Sequence, residues 1–434
     1  MTTRNDDHPP VRPFTAVLTR GFDPTLSVGS ARPAVFRSST YVFSSPEAAE
    51  RAFAISAGRA RPEPGESVDL IYARMNHPNA EILEDHLVPL EPGAQAAAVF
   101  NSGMAAISTL FFALCQPGSS IVYTAPLYGG TQTLLTGLLE PLGFRGIAVD
   151  AGDTKALRRA IKAAENLRLV FIETPANPTL TMTDIGAAVE AVAARGPARS
   201  ALVAVDNTLL GPIFQHPLQL PSEPPGGGAD LAVYSATKYL AGFSDMLGGV
   251  ITGRDPEIVA RLRRVRSALG TILQPDECWL LDSRLPTVDL RMNRQSKNAQ
   301  RIAEALSEHE AVARIYYPSL FEEPEQVHIR DEQCSYPGAL FSIEVRGGKP
   351  AAFEFLRALR LGRNAVSLGG VETLACHPAS TTHSGLSPAE LKRTGVNDAL
   401  VRVSVGIEDW RDLLADFRQA LDAALAVARP LAAR

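Results

Sequence analysis

Residues 231–240 read LAVYSATKYL: an apolar run, then small hydroxyl residues, then Lys238. An apolar run without polar alternation is what a strand buried on both faces requires, and such strands belong to parallel sheets covered by helices. The same signature recurs upstream in AAAVF (96–100), SIVYT (120–124), LVFIE (169–173) and ALVAVD (201–206), with longer amphipathic segments between them. This spacing predicts an α/β domain with a mostly parallel sheet over residues 70–285.

Outward from that block the pattern changes. Residues 1–69 carry scattered prolines and glycines with one strand-like piece, TYVF at 40–43, and read as an extended arm. Residues 286–434 open on a long helical pattern (289–306) and continue with ALFSIEVRG (339–347) and ALVRVSVG (399–406). The alternation in those two segments predicts antiparallel strands with a solvated or cleft face, hence a second, smaller α/β domain. LPSEPPGGGAD (220–230) reads as a surface excursion.

Composition narrows the function classes. A chain of 434 residues with 45% hydrophobic and 21% charged residues is an ordinary globular protein with room for a buried cleft. Its 42 basic and 47 acidic residues are spread throughout, so no basic stripe points to nucleic acid. Cys115, Cys278, Cys334 and Cys376 lie far apart, without metal-ligand spacing, and are expected to be reduced core residues. The polar start MTTRNDDHPPVRP and the lack of any long apolar run predict a cytoplasmic protein with no membrane partner. No Gly-x-Gly-x-x-Gly turn follows a strand, which disfavours a nicotinamide-dependent dehydrogenase.

Five local features carry possible chemistry. Lys238 is either a solvated charge or, in a site that disfavours the ammonium, a Schiff-base amine, with Ser235 and Thr237 placed to meet a phosphate. Asp206 stands where the carboxyl end of a strand is expected, as a loop cap or as the partner of a pyridine nitrogen. At Ser102, Gly103 and Met104 a strand gives way to a helix whose free N–H groups suit an anion, although Ser102 reads equally as a plain N-cap. Tyr128, before two glycines, either stacks on a flat cofactor or closes the core. Val401, Val403 and Val405 alternate with Arg402 and Ser404, so the arginine faces solvent, a structural carboxylate, or a substrate α-carboxylate.

Taken in order, PAVFRSSTYVF, IYARMNHPN, SGMAAI, PLYGGT, ETPANPT, VDNT, SATKY, SLGGVETL with HPAS, and VRVSVGIED resemble the cystathionine γ-synthase or Cys/Met metabolism family of pyridoxal-phosphate enzymes, from residue 33 to the C-terminus. The resemblance implies the aspartate-aminotransferase-type fold (fold type I) and pyridoxal 5'-phosphate as cofactor. It makes Lys238 the Schiff-base lysine, Asp206 the ring-nitrogen partner, Tyr128 the stacking ring, and Gly103, Met104, Ser235 and Thr237 the phosphate contacts, beside Ser102. Tyr72 and Arg74 match residues that complete the neighbouring subunit's phosphate site, so a homodimer, usually within a homotetramer, is implied. Arg402 matches the carboxylate-binding arginine, with Ser367 and Asn177 lining the same region.

The implied chemistry acts at the γ-carbon of a small amino acid, with Lys238 moving protons and Tyr128 a candidate acid for the leaving group. Val366 before Ser367 resembles methionine γ-lyases and favours γ-elimination to 2-oxobutyrate and ammonia. Gly130 stands where those lyases place a reactive cysteine, which keeps open γ-replacement (cystathionine γ-synthase or O-acylhomoserine sulfhydrylase), cystathionine γ-lyase, and a lyase for an O-linked substrate such as canavanine. Ala73, His77 and Asn79, Phe243, and Phe36 followed by Arg37 depart from the family pattern and bear on substrate identity.

Overall fold

The computed structural model describes residues 11–63, 66–196, 201–221 and 227–432. Residues 1–10 of the arm and the centre of the 220–230 excursion lie outside the described residues. A seven-stranded sheet comprises β1 (Ala96–Phe100), β2 (Ser120–Ala125), β3 (Arg145–Asp150), β4 (Leu167–Glu173), β5 (Leu202–Asp206), β6 (Leu231–Ser235) and β7 (Gly249–Gly253). The order is β1-β7-β6-β5-β4-β2-β3, with β7 antiparallel to both neighbours and the other pairs parallel. Alternate residues of the inner strands enter different apolar clusters: Val170, Val203 and Ala232 lie on one face, and Phe171, Ala204 and Val233 on the other. That two-sided burial is why these strands read as unbroken apolar runs.

The chain leaves β3 at one edge and re-enters at β4 on the other side of β2. Ligands of open α/β sheets bind outside the carboxyl ends of the strands at such a reversal. A second sheet, β10-β11-β12-β9-β8, comprises β8 (Val312–Tyr316), β9 (Leu340–Val345), β10 (Arg363–Asn364), β11 (Leu374–Cys376) and β12 (Leu400–Ser404), with β8, β9, β11 and β12 antiparallel as expected. Of the two faces expected, solvated or cleft, β12 has no solvated one: all five of its residues are buried, Arg402 and Ser404 included. Helices Val288–Ser307, Gly348–Ala358 and Trp410–Ala432 accompany this sheet.

Two expectations need correction. TYVF is not a strand: Thr40 alone bridges Tyr72, and Val42 is almost fully exposed. Its β-branched composition suits a pleated surface, yet beyond that bridge it pairs with no strand among the described residues. Cys334 is only partly buried, while the other three cysteines are core residues.

His77 has a structural job. It caps the Pro78–Leu87 helix through Nδ1, which accepts from Ala80 N–H at 3.2 Å, while Nε2 meets the Leu273 carbonyl at 2.9 Å. Burial pushes its pKa below the ordinary imidazole value, so the ring is neutral and satisfied on both sides. Replacing His77 by alanine is expected to destabilise the protein by about 2 kcal/mol, with asparagine restoring the cap share of about 1 kcal/mol. Denaturant unfolding of both variants checks this, and equal loss in the two would rule out a contribution from the cap.

Candidate active site

Two strand ends next to the chain reversal deliver two carboxylates. Glu173 closes β4 and Asp206 closes β5, and the parallel register sets them directly opposite each other. Both are buried, at 3% and 8% exposure. Burial raises the pKa of each, and the Asp206 charge pushes Glu173 further up. Thr208 opposes this at Asp206, donating to Oδ1 through Oγ1 (2.6 Å) and N–H (3.1 Å). The same hydroxyl accepts from Ser235 N–H at 2.8 Å, so a hydrogen-bonded chain joins Asp206 to the end of β6.

Lys238 stands one turn beyond that end, its N–H bonded to the Ser235 carbonyl at 3.1 Å. Its Nζ donates to Ser367 Oγ at 3.1 Å. Burial, helped by the positive charge of Arg402, lowers its pKa to about 8, so a neutral amine is available close to neutrality. The Ser367 segment reaches this turn because Gly369 has φ +81° and lies so close that a Cβ would fall 2.7 Å from Tyr239 N and 3.1 Å from Lys238 Cα.

The Gly103–Leu114 helix starts beside the same turn. Ser102 is its N-cap, accepting from Ala105 N–H at 3.0 Å, which leaves the Gly103 and Met104 N–H groups as its leading free donors. Gly103 has no room for a side chain: a Cβ would sit 2.9 Å from that of Ser235. The Thr237 hydroxyl accepts from Gly248 N–H at 3.0 Å. Helix donors, the Ser235 and Thr237 hydroxyls, a low-pKa lysine and a buried carboxylate therefore converge. This set fits a cofactor with an anionic tail, a carbonyl and a basic ring nitrogen.

The second domain supplies the opposite wall. Arg402, on β12, is 2% exposed. Nη2 donates to the Val366 (2.6 Å) and Ser367 (3.0 Å) carbonyls and Nη1 to Asn177 Oδ1 (3.2 Å), while its Nε is buried without a partner among the described residues. A planar fork held on one edge with a donor to spare suits a carboxylate. His383 Nε2 meets the Asn177 carbonyl at 3.2 Å, and burial lowers its pKa to about 4, so it is neutral. Tyr128 follows β2 and is 48% exposed, as an aromatic face open to a flat partner would be, whereas Val366 presents its side chain outward at 55%.

The structure thus gathers Lys238, Asp206, Ser102, Gly103, Met104, Ser235, Thr237, Tyr128, Asn177, Ser367, Val366 and Arg402 around one cleft. Tyr72 and Arg74 have other partners: Tyr72 bridges Thr40, and Arg74 Nη1 donates to the Ser267 carbonyl at 2.7 Å. Arg37 grips Asp276 in an exposed fork, and Phe243 lies beneath Arg284 and Arg291 at 4.8 and 5.6 Å. Reasoning from sequence passed over Glu173, Thr208 and His383. For Glu173 a signal existed, since LVFIE ends in a carboxylate just as ALVAVD does.

Known proteins resemble most of the chain. The family model described as "Cys/Met metabolism PLP-dependent enzyme" matches residues 15–422. The L-methionine gamma-lyase of Pseudomonas putida is 37% identical over 410 residues, covering 94% of this chain and 97% of that protein. The cystathionine beta-lyase of Bacillus subtilis is 38% identical over 350 residues, 81% and 85% of the two. The crystal structure of cystathionine gamma synthase from Xanthomonas oryzae pv. oryzae in complex with aminoacrylate and cysteine superposes with a TM-score of 0.85 at 34% identity, covering 96% of this chain and all of that one. With fold, cleft and near-complete sequence coverage in agreement, the chain belongs to the Cys/Met metabolism family of fold type I enzymes and uses pyridoxal phosphate as its cofactor.

Proposed function

We propose that the enzyme catalyses γ-elimination on an amino acid with a methionine-like side chain, releasing 2-oxobutyrate, ammonia and the leaving group. The observation that carries this is the Lys238 amine, lowered to about 8 and resting on Ser367 beside the Arg402 fork. A substrate held by its α-carboxylate at Arg402 brings its Cα within reach of that one base. Lys238 would hold the cofactor covalently, the Gly103 and Met104 N–H groups with Ser235 and Thr237 its phosphate, and Asp206 the proton on its ring nitrogen. When bound, the cofactor supplies an electron sink for negative charge at Cα.

The rest falls to the chain's own side chains. The Lys238 amine would take the Cα proton and redeliver it, loss of a Cβ proton would then supply the electron pair that expels the γ-substituent, and water would release the 2-oxo acid and ammonia. Tyr128, over the cleft, protonates the departing γ-substituent. Asn177 and the Val366 and Ser367 carbonyls keep the Arg402 guanidinium from rotating as the substrate docks. Tyr72 of the partner subunit and Arg74 of the partner subunit would complete the phosphate site in a homodimer; within one chain Tyr72 bridges Thr40 and Arg74 meets Ser267.

Elimination is favoured by Val366 and by the 37% identity to an L-methionine gamma-lyase. Replacement by a thiol is the second reading, favoured by Gly130. A side chain there would put its Cβ 2.7 Å from a Tyr128 ring carbon and 2.9 Å from the Met104 sulfur, so Tyr128 and Met104 fill the space that a side chain at Gly130 would need. Methionine, cystathionine, canavanine, and O-acetylhomoserine with and without sulfide should be supplied in parallel. Elimination yields 2-oxo acid and ammonia in equal amounts from methionine, with no new amino acid when sulfide is added. Oxo acid from none of the substrates would sink the lyase reading, and a new amino acid with sulfide alone would establish replacement.

A further inference from the structure

Glu173 is buried at the carboxyl end of β4, faces Asp206 across the β4–β5 ladder, and has no part in the mechanism above. Its Oε2 accepts from Tyr128 N–H at 2.7 Å, and its carboxyl also accepts from Asn177 N–H. Its own N–H donates to Thr124 Oγ1 at 3.0 Å, which fixes the strand end from which the side chain projects. One side chain thus touches two turns that are 49 residues apart. Tyr128 begins the turn that carries the ring, and Asn177 sits on the loop that braces Arg402 and receives His383.

We infer that Glu173 is a positioning residue that ties the ring side of the cleft to its carboxylate side, setting Tyr128 and Asn177 in one frame. The inference rests on the assignment of Tyr128 and Asp206 to the cofactor ring. Neither turn contributes another bond to the other that could replace this tie among the described contacts. Both N–H groups lie at the cleft, where a strand partner is no longer available, so without the carboxyl they would be left unmet in a largely buried setting. Burial and the neighbouring Asp206 both favour the protonated form of Glu173, which still offers an acceptor oxygen. What the tie requires is therefore an acceptor and not a charge.

That distinction sets the test. Holoenzyme carrying Glu173→Met, similar in volume but without an acceptor, is compared with Glu173→Gln, which keeps one. Visible absorbance reports cofactor retention, circular dichroism of the same band reports ring orientation, and kcat and KM report alignment. The Met variant is expected to keep its absorbance, lose about half the dichroism per bound cofactor, and show KM raised roughly tenfold, as when a residue orienting a ligand contact is removed. The Gln variant should stay within about threefold of the parent in KM and keep its dichroism. Parental dichroism and KM in the Met variant overturn the inference, and so does equal damage in the Gln variant, which would make the charge the operative feature. Should Glu173→Met yield no folded holoenzyme, amide hydrogen exchange in the parent decides: slow exchange at Tyr128 and Asn177 supports the tie, and fast exchange at both overturns it. A parent without a visible band would defeat the ring-site reading itself, whereas a band insensitive to Glu173→Met defeats only this inference.

Discussion

Lys238→Ala is expected to remove the visible cofactor band and to lower kcat roughly 10⁴-fold or more, because on the proposed assignment one side chain would supply both covalent attachment and proton transfer. The fold should survive. Lys238 is only partly buried, and its side-chain hydrogen bond to Ser367, the one it makes among the described residues, is to a hydroxyl that can turn to water. A melting temperature near that of the parent would therefore separate lost chemistry from lost structure. The same residue gives a pH signature. The rate at which apoenzyme captures pyridoxal phosphate should rise with pH and reach half its maximum near 8, not near the ordinary lysine value of 10.5, because only the neutral amine attacks a carbonyl. A midpoint near 10.5, or a band retained in Lys238→Ala, would remove Lys238 from the centre of the site.

How much of this could be read from the sequence depended on the range of the interactions concerned. β6 and the turn to Lys238 were legible because β6, inside the large sheet, buries both faces, and such burial leaves an uninterrupted apolar run. The helix start at Ser102 was legible because an N-cap is a local hydrogen bond, and the structure shows that bond. TYVF misled because β-branched composition states fitness for a pleated surface without saying whether a partner strand exists. Arg402 was placed on the right strand, but its face is closed by Asn177, Val366 and Ser367, residues 225, 36 and 35 positions away. No periodicity reports contacts of that kind.

Glu173 shows the limit most clearly. LVFIE and ALVAVD carry the same message, an apolar strand ending in a carboxylate, yet only the strand register reveals that the two carboxyl groups face each other. Sequence marks both positions as strand ends, and topology makes them a pair. The same holds for Thr208, two residues beyond Asp206, whose hydroxyl also receives the Ser235 N–H from the neighbouring strand.

Arg402→Lys is expected to lower kcat/KM for the amino-acid substrate about 10- to 100-fold, mostly through KM, since an ammonium keeps the charge but cannot reproduce a two-pronged contact. Arg402→Ala should fall further, because the Val366 and Ser367 carbonyls and Asn177 Oδ1 then lose their donor in a buried setting. Cofactor absorbance should persist in both. A linked effect follows from the charge: Arg402 is the second cause, after burial, of the low Lys238 pKa. Removing the charge in Arg402→Ala should therefore move the pH midpoint of cofactor capture above 8, whereas Arg402→Lys should move it less. On the proposed assignment, the carboxylate site would thereby help to set the protonation state of the Lys238 amine. When a substrate carboxylate occupies the fork, its negative charge offsets that of Arg402 and favours the protonated amine once Lys238 has taken the Cα proton. An unchanged capture midpoint in Arg402→Ala, with kcat/KM reduced as expected, would leave Arg402 as a carboxylate clamp and end the case for electrostatic coupling between the two sites.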